Sequence, residues 1–477
     1  MKRKYIIGID GGSQSSKVVI YDLEGNVVCE GKQDLRPMHL PKPGIVEHPG
    51  DDLWDSIVIA CKRAMTCFQG EPKDIIGIGL CTIRFCRALL KADGTLASPV
   101  MSWMDTRVSK PYEDNNPAVK YVTTSSGYIT HRFTGEFKDT AANYQGVWPM
   151  DTDTWQWTKD ETVVKQVGMP REMLFELQMP GTILGHITES AAKETGIPKG
   201  IPVVATANDK AVEALGAGSL SEKTALISLG TYIASMVHGY ENLKDSNHFW
   251  TNFASIPNQY LYESYGIRRG MWTVSWFKDL LGDEIALKAK VLGIQPEELL
   301  NREAQLIPAG SDGLMTVLDW LAPTDAPFKK GIMIGFDGRH TRAHIYRSIL
   351  EAIALTMKNR ADAMCNELKI ELDRIIISGG GANSELFMQI FADVFGLSAS
   401  RNVISGSASL GSAICVAVAM GVYDSYANAI DKMVKVRDTF DPNPENTVLY
   451  KRLNDAAYKK ITEYTDEILK KSYPIFL

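Results

Sequence analysis

The sequence predicts a mixed α/β protein made of two halves of similar plan, and three observations predict it. The 477 residues exceed what one hydrophobic core sustains, so two domains are expected, with a third possible. Residues 5–22, YIIGIDGGSQSSKVVIYD, set a glycine and hydroxyl loop between two short apolar runs rich in β-branched residues. Residues 224–237, TALISLGTYIASMV, give the same outline near the start of the second half. The identity between the two units is weak, so the likeness is one of architecture. The expected division is 1–218 and 219–477, with the boundary near Ala217 to Glu222.

The opening unit is read as a buried strand, Tyr5 to Ile9, with Asp10 at its end. Gly11, Gly12, Ser13, Gln14, Ser15, Ser16 and Lys17 follow, then a second strand, Val18 to Tyr21. Glycines allow backbone N–H groups to approach an anion, and the hydroxyls and Lys17 can bind phosphate oxygens. An acid at the mouth of such a loop is placed to hold a metal ion that neutralises phosphates. The loop alone is equally compatible with a hairpin that binds nothing.

Residues 35–49 read as a surface loop, and Asp51-Asp52 open a helix with apolar residues at helical spacing. Ile75 to Leu80 is a buried strand, and residues 84–90 are expected to form another, ending at the turn Asp93-Gly94. PVMSWMDTR, 99–107, is expected to be a strand entering a loop, and Tyr128 to Phe133 a helix. The tryptophans at 148, 155 and 157 fit core or interdomain packing better than a sugar-stacking platform. In GIPVVATANDKAVEALGAGS, 200–219, a strand ends at Asn208-Asp209 and a helix begins. Ligands of open α/β sheets bind at such strand ends, although a helix N-cap explains the same residues.

In the second half, residues 339–368 form one long helical pattern, and Arg374 to Ser378 a strand. Gly379-Gly380-Gly381 then leads into a helix ending at Phe395. That turn offers bare backbone to a flat or phosphorylated ligand, or simply allows tight packing. Residues 408–422 read as a packed core helix, and 450–477 as a single amphipathic helix.

The 51 basic and 57 acidic residues argue against a nucleic-acid surface. No apolar run approaches about eighteen residues, so no membrane span is predicted. Seven scattered cysteines without a CxxC pair predict reduced thiols and a cytoplasmic protein. GxGxxG, GxxxxGK[ST], GxSxG and HExxH are all missing. His340 and His344 stand four apart, but with no third ligand they read as surface or capping residues. Phosphoryl transfer needs a phosphate cradle, a metal-holding acid and a base for the attacking hydroxyl. Asp10 and Asp209 divide naturally into the last two roles.

With those residues in view, the chain resembles the FGGY carbohydrate kinases, relatives of hexokinase, actin and the heat-shock ATPases. The resemblance runs from IGIDGGSQSSKVVIYDLEG through SWMDTR, VATANDKAVEALGAG, SLGTY and AHIYRSILEAIA to SGGGANSELFMQIFADVFG, over about the first 425 residues. It implies two actin-like, ribonuclease H-like domains flanking a catalytic cleft, with the sugar on the N-terminal side and ATP on the C-terminal side. It implies Asp209 as catalytic base and Asp10 as the acid facing Mg²⁺. Gly12, Ser13, Gln14 and Lys17 would form the first phosphate loop, Gly230 and Thr231 the second. Gly380, Gly381 and Asn383 would form the adenosine-binding turn. Trp103, Asp105 and Arg107 match a WxDxR segment that lines or supports the sugar pocket, and dimers are common in the family.

One departure concerns the acceptor. Xylulokinases typically read GQMHG where this chain has Thr82-Ile83-Arg84-Phe85-Cys86, and Phe85 replaces their substrate-contacting histidine. Glycerol kinases carry an Arg-Glu pair, of which only Arg84 is matched. An arginine there could bind polyol hydroxyls or a sugar-acid carboxylate. The expectation is an ATP- and Mg²⁺-dependent kinase for a ketopentose such as xylulose. After it come erythritol, ribulose or glycerol, then a sugar acid such as gluconate. The alternative of another class is a non-catalytic actin-like sugar sensor.

Overall fold

A computed structural model describes residues 4–113, 116–323 and 325–476. Its frame is two sheets of matching topology. The first contains β1 (Tyr5–Gly11), β2 (Ser15–Asp22), β3 (Val27–Asp34), β4 (Ile75–Thr82), β5 (Ile183–His186) and β6 (Pro202–Ala205), in the order β5-β6-β4-β1-β2-β3. The second contains β7 (Thr224–Leu229), β8 (Ile233–Gly239), β9 (Phe249–Phe253), β10 (Tyr260–Ser264), β11 (Arg374–Ser378), β12 (Ser398–Asn402) and β13 (Val436–Phe440), in the order β9-β10-β8-β7-β11-β12-β13. In each, a central strand runs antiparallel to the next strand in sequence and parallel to a later one. That later strand has a further parallel neighbour, followed by an antiparallel edge. The duplicated architecture expected from the two hairpins is therefore present.

Both faces of β1 are buried, which is why it reads as a continuous apolar run. Ile7 and Ile9 pack with Trp54, Ile57 and Cys61 of helix Asp52–Cys67. Ile6, on the other face, packs with Leu410, Ala413 and Ile414 of helix Ala408–Ala419. That last helix is the packed core helix foreseen from its composition, but it lies on the first sheet. Paired glycines make its seat: Gly8 and Gly79 face each other across β1 and β4. A Cβ on Gly8 would come within 2.0 Å of the Ser409 carbonyl oxygen, and one on Gly79 within 2.2 Å of that of Ser412. Gly411 approaches the Val212 carbonyl equally closely, so a second-half helix is pressed against first-half backbone.

Several local expectations need correction. Only Ala88–Leu90 of the expected strand 84–90 is extended; before it the chain turns, with Phe85 at φ 65°. Within residues 99–107 only Met101 is bridged, singly to Arg87 and to Glu47, and a 3₁₀ turn follows over Thr106–Ser109. The C-terminal segment is two helices, Pro444–Leu453 and Ile461–Ser472, separated by a π-type turn, Asn454–Tyr458. Buried anchors force that break: Asn454 exchanges hydrogen bonds of 2.9 and 2.7 Å with Asn359, and Tyr458 accepts from the Thr316 N–H. Leu477 lies outside the described residues. Trp155 is fully buried and Trp148 nearly so, which agrees with packing rather than a sugar platform. His344 caps helix Arg342–Leu368 and meets Asp312, while His340 meets Asp337. The seven cysteines are free thiols.

Candidate active site

The site lies where the ends of β1, β4, β7, β10 and β11 meet the start of helix Asp209–Gly216. Asn208 caps that helix, its side chain accepting from the Lys210 and Ala211 N–H groups at 3.1 Å. Capping by Asn208 frees the Asp209 carboxylate to face the cleft at the first helical position. Its Oδ1 is buried without a hydrogen-bond partner, 4.0 Å from Arg84 Nε. Burial raises the Asp209 carboxyl above its ordinary range, while Arg84 and Lys210 oppose the rise. A poised acceptor with an unfilled hydrogen-bonding position is what a general base requires.

Asp10 stands opposite Lys17 across the β1–β2 hairpin and beside Cys81 of β4, whose thiol lies 3.8 Å from Oδ1. Burial, then the carboxylates of Asp209 and Glu213, push Asp10 up to about 7. Lys17 also pairs with Glu30 at 2.9 Å. Ser13 and Gln14 are exposed at the tip, and the Gly12 N–H donates to the Ser15 carbonyl at 3.1 Å. In the β7–β8 hairpin, Thr231 is exposed, and the loop carbonyls of Gly230 and Thr231 accept from the Met271 and Gly270 N–H groups. Those donors are the first amides of helix Gly270–Leu280, which fixes the loop.

The triple glycine follows β11. Gly379 has φ 84°, and a Cβ there would sit 2.5 Å from the Leu229 carbonyl, so it must be glycine for the turn to pack on the second hairpin. Gly380 is exposed, with no atom within 4 Å of where a Cβ would be; Asn383 is exposed beside it. Arg401, buried, donates to the Ala382 carbonyl at 2.6 Å and holds the turn from behind.

Four further groups tie these pieces together, and sequence reasoning missed them. Glu213 accepts from Lys210 Nζ at 3.0 Å, Ser228 Oγ at 3.0 Å and Ser378 Oγ at 2.5 Å. Ser228 and Ser378 are register partners at the ends of β7 and β11. Lys210 leads the groups that hold Glu213 ionised despite its burial. The available signal for Glu213 was its spacing, four residues after Asp209 and hence on the same helical face.

On the other wall, Arg84 sends Nη1 and Nη2 to Glu263 of β10 at 2.7 and 2.8 Å, and Nη1 to Asn252 Oδ1 at 3.3 Å. Glu263 is fully buried and also accepts from Asn252 Nδ2 at 3.0 Å. The Arg84 guanidinium lies 5.2 Å from the centre of the Phe85 ring. Phe85 is partly exposed, and its left-handed backbone is a strained conformation for an aromatic residue. Trp103 follows the Arg87–Met101 bridge and is 44 % exposed. Asp105 behaves differently. It is buried, accepting from the Val46 N–H at 2.8 Å and from Arg107 at 2.9 and 2.7 Å, while Arg107 also reaches Glu47 at 2.7 Å. The structure thus gathers Asp10, Asp209, Arg84, both hairpins and the triple glycine around one cleft. Asp105 and Arg107 are engaged with the loop that carries Trp103.

The sequence patterns of a known family match most of the chain: the N-terminal domain of the FGGY family of carbohydrate kinases over 5–116 and 108–216, and the C-terminal domain over 225–420. The chain belongs to the FGGY family of carbohydrate kinases. An Escherichia coli K12 protein named as an uncharacterized sugar kinase, YgcE, is 57 % identical over 475 residues, covering 100 % of this chain and 96 % of that one. In fold, this FGGY kinase is similar to a gluconate kinase from Lactobacillus acidophilus at TM-score 0.85 and 18 % identity, covering 98 % of this chain and 100 % of the other. It is also similar to a xylulose kinase from Rhodospirillum rubrum at TM-score 0.82 and 22 % identity, with the same coverage. The hexokinase–actin fold and the phosphotransferase class follow, with ATP as phosphoryl donor. Among the described residues, no helix is long and apolar enough to cross a membrane.

Proposed function

We propose that this FGGY kinase transfers the γ-phosphoryl group of ATP to a hydroxyl of a small sugar or polyol, with a ketopentose such as xylulose first in order. Other polyols and ketoses such as erythritol, ribulose or glycerol follow, and a sugar acid such as gluconate comes last. The observation that carries the reading is Asp209 Oδ1, a buried acceptor without a partner, set among two glycine hairpins and a bare-backbone turn. In this reading Asp209 takes the hydroxyl proton. Gly12, Ser13, Gln14, Lys17, Gly230 and Thr231 receive the phosphates, and Gly380, Gly381 and Asn383 receive the adenosine. Arg84 and Trp103 line the acceptor pocket, and the Asp105–Arg107 pair supports it.

Among the described residues, no group of three or more His, Cys, Asp or Glu side chains is placed to hold a metal. Mg²⁺ commonly takes one or two carboxylates and completes its shell with phosphates and water. Asp10, where negative charge accumulates, fits such a shared site. Mg²⁺ held there would offset the charge of the phosphates. The lobes are taken to divide at 218/219, in a cytoplasmic enzyme that needs neither nucleic acid nor membrane and associates as a homodimer.

The test is Asp209→Asn assayed for acceptor-dependent ADP release. Release should fall below about 10⁻³ of wild type while acceptor-induced thermal stabilisation persists. Equal release by mutant and wild type would refute the base assignment. Stabilisation by acceptor in both proteins, without release from either, would favour the sugar-sensor alternative.

A further inference from the structure

We propose that the acceptor is an uncharged polyol or ketose rather than a sugar acid, and that Glu263 sets this preference by occupying the end-on fork of Arg84, which leaves only the edge beside Asp209. The inference rests on the kinase reading above and narrows its substrate class.

An arginine recognises a carboxylate by presenting two parallel N–H groups to its two oxygens. At Arg84 that fork is taken. Nη1 and Nη2 end on Glu263 at 2.7 and 2.8 Å, and Asn252 closes the arrangement by accepting from Nη1 and donating to Glu263. Glu263 is fully buried in β10, so solvent does not compete for it. What Arg84 keeps is its side-on edge, Nε and the second Nη2 hydrogen, and Nε lies 4.0 Å from Asp209 Oδ1. Donors beside one open carboxylate oxygen suit a hydroxyl, which accepts from Arg84 and donates to Asp209. A carboxylate has no hydrogen to offer Asp209 and would be repelled by it.

The charge count points the same way. Around Asp209, Arg84 and Lys210 face Asp209, Glu213 and Glu263, two cations against three acids, a formal excess of one negative charge. Lys210 is itself engaged with Glu213 and Ser228, and Lys17 with Glu30. A sugar acid would add another anion to this field, and the donor edge that Arg84 keeps lies against the Asp209 carboxylate. The exposed ring of Phe85, 5.2 Å from the Arg84 guanidinium, suits the C–H face of a neutral sugar.

Matched acceptors that differ only at one carbon test this: xylitol against xylonate, ribitol against ribonate, glucitol against gluconate. Wild-type enzyme should show kcat/KM for at least one polyol about 100-fold above its aldonate partner, equivalent to about 2.8 kcal/mol at 1.4 kcal/mol per tenfold. An aldonate that matches or exceeds its polyol would overturn the inference. Glu263→Gln, which frees the charge of Arg84, should raise the aldonate-to-polyol ratio at least about tenfold. An unchanged ratio in a variant that melts like wild type would remove Glu263 from the explanation. If neither this panel nor xylulose, ribulose, erythritol and glycerol elicits ADP release, it is the kinase reading that fails. The charge preference is then decided by melting shifts with the same pairs, and a shift with an aldonate but not its polyol refutes it.

Discussion

The two glycine hairpins occupy equivalent places in equivalent sheets, yet they carry opposite chemistry. In the first, Asp10 lies beside Cys81 on the neighbouring parallel strand, and Lys17 is the cation that acts on its carboxylate. In the second, Ser228 lies beside Ser378, and both hydroxyls donate to Glu213. The same backbone therefore supplies an acid seeking a cation on one side and a neutral, already satisfied frame on the other. In the proposed reading a duplicated scaffold would reach the two ends of a triphosphate, with one position per copy setting which end carries the charge.

The sharpest way to break this contrast is to neutralise each position in turn. Asp10→Asn should lower kcat by about 10³-fold or more with little loss of fold, whereas Ser228→Ala should lower it only about tenfold. Steady-state kinetics on both variants decides it, and equal losses would dissolve the asymmetry. A second contrast is mechanical. Gly8→Ala forces a methyl onto the Ser409 carbonyl and should destabilise the protein by about 3 kcal/mol or more, measured by urea unfolding.

A third contrast concerns acid. His48, fully buried before helix Asp52–Cys67 without a hydrogen-bond partner for either ring nitrogen, is pushed down to about 4, chiefly by burial. The unfolded chain takes up that proton below about pH 6.5 and the folded one does not, so its contribution is intact above pH 6.5. It is lost as pH falls toward 4, by up to about 3 kcal/mol. His48→Phe should flatten that part of the stability–pH curve; an unchanged slope would assign it elsewhere. The smallest effect belongs to Gly380→Ala. With open space around it, stability should change by less than about 0.5 kcal/mol while KM for ATP rises; an unchanged KM would separate this turn from the nucleotide.

What was legible in the sequence was what a contiguous stretch encodes. The strand–turn–strand of each hairpin, the strand-to-helix corner at Asp209 and the glycines after β11 are local patterns, and each lies where its pattern indicated. What stayed hidden was assembled by the fold. Glu263 is a single acid inside the apolar strand YLYES, and only tertiary contact shows that it meets Arg84, 179 residues away. Ser378 and Glu213 are 165 residues apart and look unremarkable until the strand ends converge. Phe85 could be read as a departure from a motif, but not as a residue in a left-handed turn. The C-terminal segment misled for the same reason, because its apolar spacing continues through a break imposed by Asn359 and Thr316.

Helix Ala408–Ala419, seated on Gly8 and Gly79, has a consequence for how the protein is made. The first sheet begins at Tyr5, but one face is covered largely by residues of this helix, which are synthesised long after it. During most of translation Ile6, Val19, Tyr21 and Val204 face solvent or a temporary partner. The N-terminal lobe is thus first to be synthesised and among the last to be completed, and a nascent chain stalled before residue 408 would present an apolar surface for chaperones to hold.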